Sequence, residues 1–472
     1  MRRILVPMLA LALVRAANPQ GAERGGGHGG DAIRCTSGKP EIALIACTSI
    51  IQDKREDGAR RAIALRNRAY RYQQLGDFDR AIADYTTDLE HPEFGIQAKT
   101  YSNRGLLYFL KGEETRALSD YDKAIAVDPK LDSAYINRAT IYIKRGEDDR
   151  AIADLDQAAL LDPRDSALFV SRGTIYSRHG DQRRAITDFT YAIQMNPANA
   201  TAWRNRSVAH RALGDAVAAA ADAAEAIRLN PSLADAHLDL GLSVQGPDRT
   251  ARALAEFDQA IALDPGDALA FKARGDVYLA SGDAQRAIAD FDQAIGLDAT
   301  LVAAYIDRGD AQMLKARWDL AIADFTSAIA LDPKSYASYL NRAQAFGAKR
   351  DRERAIADFS AAIRLKPDGV EAYRQRAFFR QEAGDSQGAL DDYNRAIALN
   401  PMDAEALRGR GFVWLNRHDA EAAIADLTAA IALNPRDALA YQYRGAAYAA
   451  KKDMPRANLD AAAALRINPS PR

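Results

Sequence analysis

The chain has 472 residues, more than a single hydrophobic core usually organises. Its charges cancel to a net −1 and no segment is strongly basic, which argues against nucleic acid or an anionic membrane as partner. Hydrophobic residues at 48%, with abundant alanine, argue for a folded, soluble, helix-rich protein.

Residues 1–16 come first. MRRILVPMLALALVRA opens with two arginines, continues in an apolar run from Ile4 to Val14, and ends with Val14-Arg15-Ala16 fitting a cleavage site. This predicts a signal peptide and an exported chain, periplasmic or secreted; an uncleaved amphipathic tail is the alternative. The run is too short for a membrane span, which takes roughly 20 apolar residues. Residues 17–34 read as a flexible Gly-rich linker. Gly25-x-Gly27-x-x-Gly30 formally matches a dinucleotide-binding fingerprint, but no strand precedes it. The two cysteines, Cys35 and Cys47, are expected to form a disulfide if the chain is exported, and otherwise to be buried free thiols.

From Ala62 the sequence repeats. RAIADYTTDL at Arg80 recurs as RALSDYDKAI, RAIADLDQAA and RAITDFTYAI, and onward to RANLDAAAAL. The alanine that opens this block recurs from Ala117 to Ala457 every 34 residues, after a first gap of 36. Twelve units result: 62–97, 98–131, 132–165, 166–199, 200–233, 234–267, 268–301, 302–335, 336–369, 370–403, 404–437 and 438–471. A strict period of this length means a solenoid. Within each unit the apolar spacing predicts two helices, separated by a stop such as Gly112 and closed by Asp-Pro, as at Asp128-Pro129.

The pattern resembles the tetratricopeptide repeat. Position 8 is Gly, Ala or Ser and position 20 is Ala in all twelve units, and position 32 is Pro in ten. The first unit departs, with Pro92 one place early and Asp88 where Ala is expected. The resemblance implies an all-α fold, a right-handed superhelix of about twelve helix-turn-helix repeats. It also implies that residues 35–61, with ALIACTSII aligned to a second helix, cap the N-terminal end and are pinned by Cys35. The whole arrangement is similar to a group of exported bacterial repeat proteins with NRG-type repeats.

Three repeat positions carry candidate chemistry. Position 7 is Arg in eleven units, including Arg68, Arg104, Arg138 and Arg172, and position 23 is Asp in eleven, including Asp84, Asp120, Asp154 and Asp188. Both exceptions, Leu240 and Glu256, fall in the sixth unit, so the two positions behave as partners. A charge near the helix seam needs a partner, which predicts a ladder of Arg–Asp bridges; the rival is an exposed arginine stripe for an anionic ligand. Position 6, which in the family tends to face the inner groove, reads Asn67, Asn103, Asn137, Ser171, Asn205 and, later, Asn341. Such a row either hydrogen-bonds an extended peptide or merely solvates a helix face. Position 5 is apolar in the middle and more basic toward the ends, with Arg374 and Arg408, while Phe378 and Phe412 at position 9 are candidate groove anchors.

No enzyme signature stands apart from the repeat. The six histidines show no metal-ligand spacing, so no metal, cofactor or catalytic residue is expected. The function read here is a non-catalytic scaffold that binds a protein or extended peptide in the groove. The alternatives are a self-assembling structural protein, through exposed terminal repeats, and an enzyme with an unrecognised groove site.

Overall fold

The computed structural model describes residues 29–36, 39–91, 96–244 and 249–468, and the expected signal, residues 1–16, lies outside them. Among the described residues there are 26 α-helices and no strand. The chain forms two compact units, residues 1–244 and 245–472. The division falls inside the sixth repeat, between its first helix, Ala234–Ser243, and its second, Thr250–Leu263.

The first unit opens with α1, Gly29–Thr36, and α2, Pro40–Gln52. The segment read as linker to residue 34 thus already ends in helix. A disulfide joins Cys35 to Cys47, and both cysteines lie in a small core with Ala46, Ile50 and Ala64. Helix pairs follow in both units, in the style of Gln97–Leu110 with Glu114–Val127. Second helices start on an aspartate in many repeats: Asp77, Asp181, Asp283 and Asp351, for example, each accept the backbone N–H three residues on.

Within a pair the two backbones meet at positions 8 and 20. Gly105 lies so close to Tyr121 that an added Cβ would come within 2.8 Å of the ring. Tyr121, Phe189, Phe291 and Phe325 are fully buried in this role, each against a glycine. No helix among the described residues is long and apolar enough to cross a membrane.

The turn between the two helices needs a left-handed residue. Glycine supplies it in seven repeats, but Ala316, Arg350, His418 and Lys452 adopt φ of 55–62° in the eighth, ninth, eleventh and twelfth. That conformation strains a side chain-bearing residue more than it strains glycine. Arg350→Gly and His418→Gly are each expected to raise the stability of the second unit by about 0.5–1 kcal/mol. A urea midpoint that does not rise would contradict this.

Candidate functional site

The arginines at position 7 are the most regular polar feature. Arg138 donates from Nε and Nη2 to Asp154 Oδ2 and Oδ1, at 2.8 and 2.7 Å. Arg104 holds Asp120 in the same way at 2.7 and 2.9 Å, and Arg172 holds Asp188 at 2.8 and 2.7 Å. The same fork recurs at Arg68–Asp84, Arg206–Asp222 and Arg274–Asp290. It is present again from Arg308–Asp324 to Arg444–Asp460.

The third nitrogen reaches backward. Nη1 of Arg138 donates to Asp122 of the preceding repeat at 2.6 Å, and Nη1 of Arg104 to Thr86 at 3.0 Å. The acceptor always stands at position 25, as Thr190, Asp258, Asp292, Thr326, Ser360, Asn394 or Thr428 further on. Arg68 reaches Thr48 of α2 at 3.0 Å, so the cap is joined by the same device. Each arginine therefore ties two helices of its own repeat and staples that repeat to the one before. Where position 4 is aromatic the arginine also lies near that ring, as Arg138 does over Tyr135 at 5.8 Å.

The electrostatics are finely balanced. The hydrogen bonds that Arg138 donates to Asp154 hold its guanidinium firmly charged. Burial nonetheless pushes the Asp154 carboxyl up, against the pull of Arg138. A two-pronged charge pair thus only about offsets the desolvation of its acid, as expected of ion pairs at a helix seam.

The sixth repeat has no such staple on its first helix. Leu240 is buried there, and position 25 of the fifth repeat is Ala224, which offers no acceptor. A different contact holds this helix. Arg204 Nε donates to Asp239 Oδ2 at 2.6 Å and Arg211 Nη2 to Oδ1 at 3.3 Å. Asp239 is 2% exposed, and burial raises its pKa while the two arginines oppose the rise.

The position-6 row is placed differently in the two units. In the first, Asn67, Asn103, Asn137, Ser171 and Asn205 are all buried, with Asn103 and Asn137 only 3% and 2% exposed. In the second, Asn341 is half-buried and donates to Asp310 Oδ1 at 2.8 Å. The basic side chains at position 5 are engaged as well. Arg66 pairs with Asp88, which explains the acid found where alanine was expected, and Arg408 pairs with Asp437 at 2.6 Å. Arg374 lies against Glu371 and Glu405. Phe378 is 43% exposed, whereas Phe412 is half-buried against Tyr443.

One polar group does not repeat. On the first helices of the seventh to ninth repeats, Lys272 Nζ lies 2.7 Å from Asp276 and 2.8 Å from Asp307. Asp310 and Asn341 adjoin them. Burial pushes the Asp276 carboxyl up to about 6 despite Lys272, and burial with the neighbouring Asp307 charge pushes Asp310 to about 6. Among the described residues no three His, Cys, Asp or Glu side chains stand together so as to hold a metal ion.

Models of the tetratricopeptide repeat match residues 98–131, 132–165, 170–234, 238–301, 306–370 and 380–425. The chain belongs to the tetratricopeptide repeat family. Tetratricopeptide repeats generally serve as non-catalytic scaffolds for binding proteins or peptides. No curated protein matches the chain. Among solved structures, YrrB, described as a tetratricopeptide protein with an unusual peptide-binding site, is 22% identical, with a TM-score of 0.35, and the match covers 39% of this chain and 95% of that one. The Cut9–Hcn1 hetero-tetramer of APC/C is 17% identical over 88% of each chain, at a TM-score of 0.44. Yeast Tom70 is 16% identical over 87% of this chain and 97% of its own, at 0.37.

Proposed function

We propose that the protein is a non-catalytic scaffold that holds a polypeptide partner along the first-helix face of its second unit, in a compartment outside the cytoplasm. One observation carries the reading. The repeating charges are engaged in the frame, while side chains that do not repeat gather on the first helices of the seventh to tenth repeats. Lys272, Asp276, Asp307, Gln375 and Phe378 stand there at least partly exposed, beside Asn341 of the position-6 row. Residues that a repeat frame does not need are the ones free to select a partner, and an exposed aromatic is a natural anchor. The buried amides of the first unit, Asn103 and Asn137, fit a frame role better than a peptide contact.

The composition of residues 1–16 and the Cys35–Cys47 disulfide both speak for export. The test is a crosslinking pull-down from the exporting compartment, with wild type and the double variant Phe378→Ala, Asp307→Ala. Loss of one specific polypeptide from the variant is the expected result. Equal capture by a variant that folds as wild type would overturn the reading. Mass spectrometry of the mature chain checks export, and a chain that keeps Met1 would count against it.

Self-assembly through the last repeat has the exposed Leu459 and Leu465 in its favour. Against it, the last repeat carries Asn458 and Ala462 at positions 21 and 25, so it offers a following repeat neither the usual apolar knob nor a staple acceptor. Light scattering that shows a monomer at high concentration would dismiss this second reading.

A further inference from the structure

The two cap helices are held in different ways. Helix α2 buries Ala43, Ala46, Cys47 and Ile50, and Thr48 on it accepts the staple from Arg68. It is attached as the later repeats are attached, the sixth excepted. Helix α1 has eight residues, starts on two glycines, and leaves Ile33 66% exposed. Of its described side chains only Cys35 is buried. An eight-residue helix is far too short to persist by its own propensity, and glycine weakens it further. Its ties to the array include the disulfide and a hydrogen bond from Arg71 Nη2 to the Thr36 carbonyl at 3.0 Å.

We infer that α1 is a redox-dependent lid on the N-terminal end of the array, docked while Cys35 and Cys47 are joined and released when they are reduced. The reductant is a dithiol. It gives two electrons and two protons to the disulfide, which becomes two thiols, and leaves as its own cyclic disulfide. With α1 released, Cys47 loses the helix that covers it, and the apolar side of α2 is opened to solvent. A chain held in a reducing compartment would therefore carry an open end, and oxidation would close it.

The experiment is hydrogen exchange by mass spectrometry on the full chain, with and without dithiothreitol, with iodoacetamide alkylation confirming that both thiols are free. Amides of residues 29–36 are expected to lose at least tenfold in protection on reduction, while those of residues 40–52 keep theirs. The double variant Cys35→Ser, Cys47→Ser is expected to reproduce the reduced pattern without reductant. Three results would overturn the inference. They are protection of residues 29–36 that persists after both thiols are alkylated, protection that is absent in both states, and protection that is lost together with that of α2.

Discussion

Arg138→Ala is expected to destabilise the first unit by about 3 kcal/mol, the low end for one half of a buried ion pair. The substitution leaves Asp154, 4% exposed, without its two-pronged partner. It also cuts the tie to Asp122 of the preceding repeat. Burial already pushes the Asp154 carboxyl up with the arginine in place, and without it the rise is larger. An acid whose folded pKa is raised is penalised above that pKa and relieved below it. The deficit is therefore expected to shrink as the pH falls. The double variant Arg138→Met, Asp154→Leu removes both charges and keeps much of the volume. It should lie within about 1 kcal/mol of wild type, because the pair only about offsets its own desolvation. Trp203 packs against the core that contains Tyr135, Ile136 and Leu155. In a Trp318→Phe, Trp414→Phe background its fluorescence in urea reports this unit alone. A double variant as unstable as the single one would show that the rung itself, and not the stranded acid, sets the loss.

The second unit is expected to gain stability as the pH falls from 7 to about 5, the reverse of ordinary acid denaturation. Asp276 and Asp310 are pushed up to about 6 from 3.8, first by burial and then by the Asp307 charge. Lys272 is the positive group among them, bonded to Asp276 and Asp307, and Asn341 bonds Asp310. Between pH 6 and 4 the folded unit binds more protons than the unfolded chain, so its stability rises as the pH drops through that window. Because both groups are partly open to solvent, the expected gain is about 1–2 kcal/mol in total. The window closes near pH 4. There Asp283, Asp298 and Asp351, held low by hydrogen bonds from Arg286, Thr300 and Arg354, begin to lose their contribution. Asp276→Asn with Asp310→Asn should flatten the profile. Urea midpoints at pH 7 and 5 in a Trp203→Phe background measure it, and an unchanged slope would place the protons elsewhere.

The fold was legible because the signals that build it are local and repeated. Small residues at positions 8 and 20 and a 34-residue period admit few packings. Positions 7 and 23 could be linked by inspection, since their exceptions share one repeat. The backward contact at position 25 was harder to see. Thr86, Asp122, Ser360 and Asn394 have little in common except a short side chain with an acceptor oxygen, so no single letter recurs. Ala224, one repeat ahead of Leu240, was the available hint. The burial of the first unit's position-6 amides was not legible for a different reason. Burial is set by how closely successive first helices approach, which spacing within one helix does not reveal. Helix α1 was hidden in a glycine-rich stretch because its order depends on a cysteine partner in the next helix, not on its own composition.

Because the staple accepts threonine, serine, asparagine or aspartate alike, neighbouring repeats need not match one another individually. Away from the fifth, sixth and last repeats, a gene that loses or duplicates one 34-residue block through unequal recombination would still place an arginine opposite some acceptor at the new junction. Array length is thus free to drift there without a compensating mutation, which makes the reach of the helical array one of the easiest properties of this protein for evolution to change.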